Sequence, residues 1–143
     1  MTVLFLLSKS GIAQIDHPVK WQYGVRRLSA DQMELHLKAV INTGWYTYSQ
    51  FTPEGGPLPT KIVFTDAGAY ETIGHIRESG KMQTKYEEAF GVNVSFFKDS
   101  VDFIQTIRLK QGKMPVRGTI EFMACNGRKC LAPETVNFTI AVN

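Results

Sequence analysis

"QMELHLKAVI", residues 32–41, places Met33, Leu35, Leu37, Ala39 and Ile41 on one side of an extended chain and Glu34, His36 and Lys38 on the other. A period of two marks a strand with one face on a core and one in water, because successive side chains leave opposite faces of the pleat. "VDFIQTIRLK", residues 101–110, repeats the pattern: Val101, Phe103, Ile107 and Leu109 point one way, Asp102, Thr106, Arg108 and Lys110 the other. "ETVNFTIAV", residues 134–142, does so with Val136, Phe138, Ile140 and Val142. Shorter candidates are 19–28, 45–50, 61–65, 70–76 and 92–97, and no segment carries a helical stripe. Between them lie turn signals at Asn42-Thr43-Gly44, Asp66-Ala67-Gly68, Lys98-Asp99-Ser100 and Gln111-Gly112-Lys113, and a Gly/Pro loop, "TPEGGPLPT", at 52–60. Many short strands at this spacing predict an all-β fold, a two-sheet antiparallel sandwich.

The chain has 143 residues, 43% hydrophobic and 20% charged, enough for one domain with its own core. Its formal charge is +3, with the basic residues scattered, which does not support a nucleic-acid surface. No stretch approaches the roughly 20 apolar residues of a membrane-spanning helix. Near the start, an apolar run from Val3 to Leu7 is followed by Gly11-Ile12-Ala13, a small-x-small triplet like a signal-peptidase site. Residues 1–13 are read as a truncated export signal and 14–143 as the mature domain; the alternative is a first edge strand. Export would place the domain in an oxidising compartment, where a disulfide persists.

Both cysteines fall in "EFMACNGRKCLAPET", residues 121–135, with four residues between them. Alternation through "PVRGTIEFMAC" sets Val116, Ile120, Phe122 and Ala124 on the apolar face and Cys125 on the other, at a strand end. Asn126-Gly127-Arg128-Lys129 reads as a turn, so the pair brackets a loop in reach of solvent. A metal site needs about four ligands, and His17, His36 and His75 are too dispersed to join two cysteines; no metal or other cofactor is expected. A disulfide closing so short a loop removes only about 2 kcal/mol of unfolded-state entropy, a weak staple. Arg128 and Lys129 favour a thiolate: a unit charge at about 6 Å and an effective dielectric near 20 is worth about 3 kcal/mol before screening. Spacing alone leaves a passive staple and an exchange centre evenly matched.

"CNGRKCLAPET", 125–135, resembles the active-site hairpin of the N-terminal domain of the DsbD family, bacterial membrane thiol:disulfide interchange proteins. That hairpin carries a cysteine pair with a short insert, an aromatic or apolar residue, a proline and usually "PET". "GWYTY", 44–48, is similar to a family segment near the cysteines, and "KYEEAFG", 85–91, to its cap loop. "GGPLPT", 55–60, is similar to single-domain relatives, and the resemblance runs from Leu35 to Val142. It implies an immunoglobulin-like sandwich, with Cys125 and Cys130 as the redox couple; Cys130 is read as the thiol that forms the mixed disulfide, because it follows the exposed loop while Cys125 ends a strand. Phe90 would cover the disulfide, Glu87 and Glu88 would oppose the pull of Arg128 and Lys129, and Tyr46 and Tyr48 would support the cap. It also implies a monomeric periplasmic protein-disulfide reductase. Electrons would come from a thioredoxin-like domain or membrane electron-relay protein and pass to oxidised periplasmic proteins. The four-residue insert is one shorter than the family's and more basic. With no membrane or thioredoxin-like segment after Asn143, the expectation is an excised domain or a free-standing relative whose donor lies elsewhere. The competing expectation is a non-catalytic envelope binding module with a structural disulfide, using Trp45, Tyr46 and Tyr48.

Overall fold

The computed structural model describes residues 17–65, 68–110 and 114–142. The export signal expected over 1–13 and the turn at 111–113 lie outside these residues, as do Asp66 and Ala67. The described chain forms nine strands: β1 (Val19–Arg27), β2 (Gln32–Ile41), β3 (Trp45–Tyr48), β4 (Lys61–Phe64), β5 (Tyr70–Glu87), β6 (Val92–Leu109), β7 (Val116–Phe122), β8 (Ala124–Asn126) and β9 (Glu134–Ile140). All pairings are antiparallel. The larger sheet runs β1-β2-β6-β3-β8, with β5 also paired to β6, and the smaller runs β4-β7-β9. The result is an immunoglobulin-like β-sandwich, as expected.

The alternation in β2 holds throughout: Met33, Leu35, Leu37, Ala39 and Ile41 are all buried in the core. They meet Val116, Ile120 and Phe122 of β7 and Phe138 and Ile140 of β9. Aromatic rings tie the layers together. Trp21 of β1 lies 5.9 Å from Phe103 and 5.5 Å from Phe122, centroid to centroid, so one indole touches both sheets. At Gly118 the sheet leaves no room for a side chain: a Cβ there would collide with the Val63 carbonyl oxygen and the Phe138 ring.

One expectation is corrected. Lys98-Asp99-Ser100 is not a turn between two strands; β6 runs through it as an 18-residue strand. Asp99 adopts φ 64°, and the β5–β6 register shifts between Gly80 and Met82, so the polar triplet belongs to a β-bulge. A second shift lies between Ile73 and Arg77, beside Gly74 at φ 71°. There Gln105 takes an inward position and is buried, its amide donating to the carbonyls of Ile73, Gly74 and Thr106. The irregular backbone frees those carbonyls, and Gln105 satisfies them. β5 extends to Glu87, well past the expected end at residue 76. The bulge at Asp99 divides β6: Val101–Leu109 joins β2 and covers the main core, while Phe96 and Phe97 pair with β3.

Candidate functional site

After β7 the chain leaves the smaller sheet at Met123 and enters the larger one as β8, where Tyr46 pairs with Cys125 and Thr47 with Ala124. Thr47, fully buried, fixes the crossover by donating its hydroxyl to the Met123 carbonyl at 3.0 Å. Asn126 then turns the chain: its Oδ1 accepts from the backbone N–H groups of Arg128 and Lys129, both at 2.8 Å. The Asn126 N–H donates to the Lys129 carbonyl at 2.8 Å, and the Leu131 N–H to that of Ala124 at 2.9 Å. This side-chain-closed turn explains why Asn heads the tetrapeptide. It brings Cys125 and Cys130 face to face as a bridge pair, disulfide-bonded with Cα atoms 4.0 Å apart.

Alternation was right that Cys125 faces away from the sandwich core, but it is not in reach of solvent. It is fully buried, at 0% exposure, in a second apolar cluster with Tyr46, Tyr48, Val94 and Phe96 on the outer face of the larger sheet. Cys130 is exposed. The disulfide therefore joins a buried sulfur-bearing residue to an accessible one. Tyr46 and Tyr48 do share a face, their rings perpendicular at 5.8 Å, with Tyr46 also 5.1 Å from Phe96.

The β5–β6 hairpin supplies the neighbouring wall. Its tip is closed by the Phe90 and Gly91 N–H groups donating to the Glu87 carbonyl, and Gly91 takes φ 67°, a conformation that favours glycine. An open cleft of about 490 Å³ is lined by Tyr46, Tyr48, Glu87, Phe90, Arg128 and Cys130, among others. Phe90 and Cys130 thus face one space, and Phe90 is 39% exposed, poorly held for a large apolar ring. Glu88 is exposed at the hairpin tip.

The electrostatic roles differ from expectation. Glu87 pairs with Lys85 at 3.4 Å, a cation of its own strand. Lys85 was not singled out by sequence, yet it reaches the Tyr46 hydroxyl at 3.4 Å and lies 4.7 Å from that ring's centroid. Partial burial would lower its pKa, but the Tyr46 hydroxyl and Glu87 outweigh that and hold the ammonium above its ordinary value. Burial, then the neighbouring Tyr46 and Glu87, push the Tyr48 phenol well above the ordinary tyrosine range. Both groups keep their protons at neutral pH and serve as fixed packing and hydrogen-bonding elements. Arg128 and Lys129 are exposed, so solvent screens their pull on Cys130. Asn126 and Lys85 were within view in the sequence: the first as a turn-closing Asn, the second as the cation two residues before Glu87 on one strand face.

Fold and site define a class: an immunoglobulin-like sandwich with a half-exposed disulfide at a hairpin tip, flanked by an aromatic cluster and a second hairpin. The family model "Thiol:disulfide interchange protein DsbD, N-terminal" matches residues 17–141, and the chain belongs to that family, which is associated with thiol–disulfide interchange. The N-terminal periplasmic domain of ScsB from Proteus mirabilis superposes with a TM-score of 0.65 at 13% identity, over 89% of this chain and 47% of that one. This chain thus spans about half the length of that protein. The DsbD N-terminal domain of Neisseria meningitidis, in its reduced form, gives a TM-score of 0.56 at 18% identity, covering 86% of each chain. No curated protein matches the sequence.

Proposed function

We propose that this domain carries out thiol–disulfide exchange in the periplasm, with Cys125 and Cys130 as its redox couple. The observation that carries the reading is the asymmetry of the disulfide: Cys130 exposed on a cleft, Cys125 fully buried behind it. Exchange requires a thiolate to reach one sulfur of the bond, and accessibility selects which. A staple worth only about 2 kcal/mol gives no reason for that exposure.

In the oxidised domain, a thiolate of a thioredoxin-like donor attacks Sγ of Cys130. A bond forms between donor sulfur and Cys130, and Cys125 leaves as a thiolate. The donor's second thiolate then attacks the donor sulfur in the mixed disulfide and releases Cys130. The donor is oxidised to a disulfide, and the domain has gained two electrons. On the outward leg, the Cys130 thiolate attacks the disulfide of an oxidised periplasmic protein, and Cys125 attacks Cys130 to expel the acceptor as a dithiol. The family supports the chemistry, and the periplasmic ScsB domain supports the compartment.

Phe90 gates the approach. Its ring lines the same cleft as Cys130, and a loosely held hairpin tip moves aside at small cost.

The test is trapping. A Cys125→Ser variant is expected to accumulate a mixed disulfide with a thioredoxin-like protein that lacks its second cysteine and carries the first as a mixed disulfide with 5-thio-2-nitrobenzoate: the Cys130 thiolate attacks the thioredoxin sulfur, thionitrobenzoate leaves, and no second thiol resolves the product. Cys130→Ser is expected to form far less. Equal trapping, or none, would contradict the assignment.

A further inference from the structure

Beside the disulfide cleft lies a second one of about 490 Å³, lined by Gly44, Trp45, Tyr46, Lys85, Phe96, Lys98, Asp99 and Gly127 in its main part. Tyr46, Lys85 and Gly127 line both, so the two adjoin, one beside Cys130 and the other beside the β6 bulge. The far end has an aromatic floor with a cationic rim. Lys98 holds its ammonium 5.9 Å from the Phe96 ring centroid, and Lys85 lies 5.3 Å from the same ring. Lys85 is already matched by Glu87. Lys98 forms no ion pair among the described residues, although Asp99 is its neighbour in sequence. The bulge accounts for this arrangement, because an extra residue in β6 re-aims the side chains next to it.

We propose that this second cleft is a recognition subsite for a carboxylate side chain close in sequence to the partner's exchanging cysteine. The proposal rests on the exchange reading above and adds a partner chemistry to it. Once a partner's cysteine is bonded to Cys130, its polypeptide must leave along the protein surface, and this second cleft adjoins the one that holds Cys130. The Asp or Glu side chain would lie beside the Phe96 ring and set its carboxylate on Lys98. The cation lies near the ring and the anion meets it at the rim, so the three parts reinforce one another. Such a contact orients the partner and speeds encounter more than it tightens binding.

The test uses reduced protein and three short cysteine peptides differing only in flanking residues: Glu, Gln or Lys. Each is supplied as its mixed disulfide with 5-thio-2-nitrobenzoate. Cys130 attacks the peptide sulfur and thionitrobenzoate leaves and is read by its colour; Cys125 then expels the peptide thiol. At low salt the Glu peptide is expected to react about two- to fivefold faster than the Gln peptide, the scale of one exposed ion pair, with the Lys peptide slowest. Lys98→Gln should bring the Glu and Gln peptides to equal rates, and Lys61→Gln, on the other sheet, should preserve the Glu preference. Equal rates for all three peptides would overturn the subsite and leave the exchange function standing. A Glu preference that survives Lys98→Gln but disappears in Arg128→Gln would overturn it too, by moving recognition to the turn. Failure of all three peptides to react would overturn the exchange reading itself.

Discussion

Cys125 and Cys130 lie five residues apart in one hairpin, yet their surroundings are opposite. Alternation along β7 and β8 was enough to turn Cys125 away from the sandwich core. What it could not reveal is that this second face is also dry. The cluster that buries Cys125 is assembled from β3, β6 and β8, whose residues Tyr46, Phe96 and Cys125 are far apart in sequence. Non-local pairing of that kind leaves no periodic trace in any one segment. The aromatic pair Tyr46 and Tyr48 was legible because both lie on one strand. Phe90→Ala should quicken reduction of the disulfide by dithiothreitol severalfold, measured from the rate of thiol appearance; an unchanged rate would remove Phe90 from the mechanism. A second residue-scale prediction concerns His36, away from the site. Its Nδ1 lies 2.8 Å from Asp102 and its Nε2 3.0 Å from Glu34, so both ring nitrogens can donate only as the imidazolium. Partial burial would lower its pKa, but the hydrogen bonds to Asp102 and then Glu34 raise it above the ordinary value. Stabilisation from the pair is therefore full below about pH 6.5 and lost as pH rises through the folded-state pKa. His36→Gln should destabilise by about 1 kcal/mol at pH 5.5 and by less at pH 8.5. Denaturant unfolding at the two values checks this.

At the scale of elements, the main strands could be read and the longest two could not. Polar Lys98-Asp99-Ser100 looks like a turn because bulges and turns draw on the same residues. Asp tolerates a left-handed backbone, and only the β5 partner strand distinguishes the two. The second half of β5, from Arg77 to Glu87, lacks apolar alternation because most of it is exposed. An edge position with both faces partly wet gives hydrophobic periodicity nothing to record. The bulge has a mutational signature. Asp99→Val should destabilise by about 1–2 kcal/mol, since a β-branched side chain fits φ 64° poorly, whereas Asp99→Gly should stay within about 0.5 kcal/mol of the parent. Equal effects in thermal unfolding would contradict the assignment of strain to that position.

The whole molecule separates support from chemistry. The inner faces of the two sheets make the core that stabilises the fold, and the disulfide sits on the outer face of the larger sheet, over a smaller apolar cluster. The site is therefore built on strands, with the tip of the β5–β6 hairpin beside it, and the disulfide lies outside the main core cluster. The central claim is that Cys125 and Cys130 form a working exchange couple, and the reduction potential of that couple tests it most directly. Equilibration with a thioredoxin of known potential should give a value above about −300 mV, in the range of exchange centres. A value below about −300 mV, with no exchange with the thioredoxin, would mark a structural bridge and contradict the account.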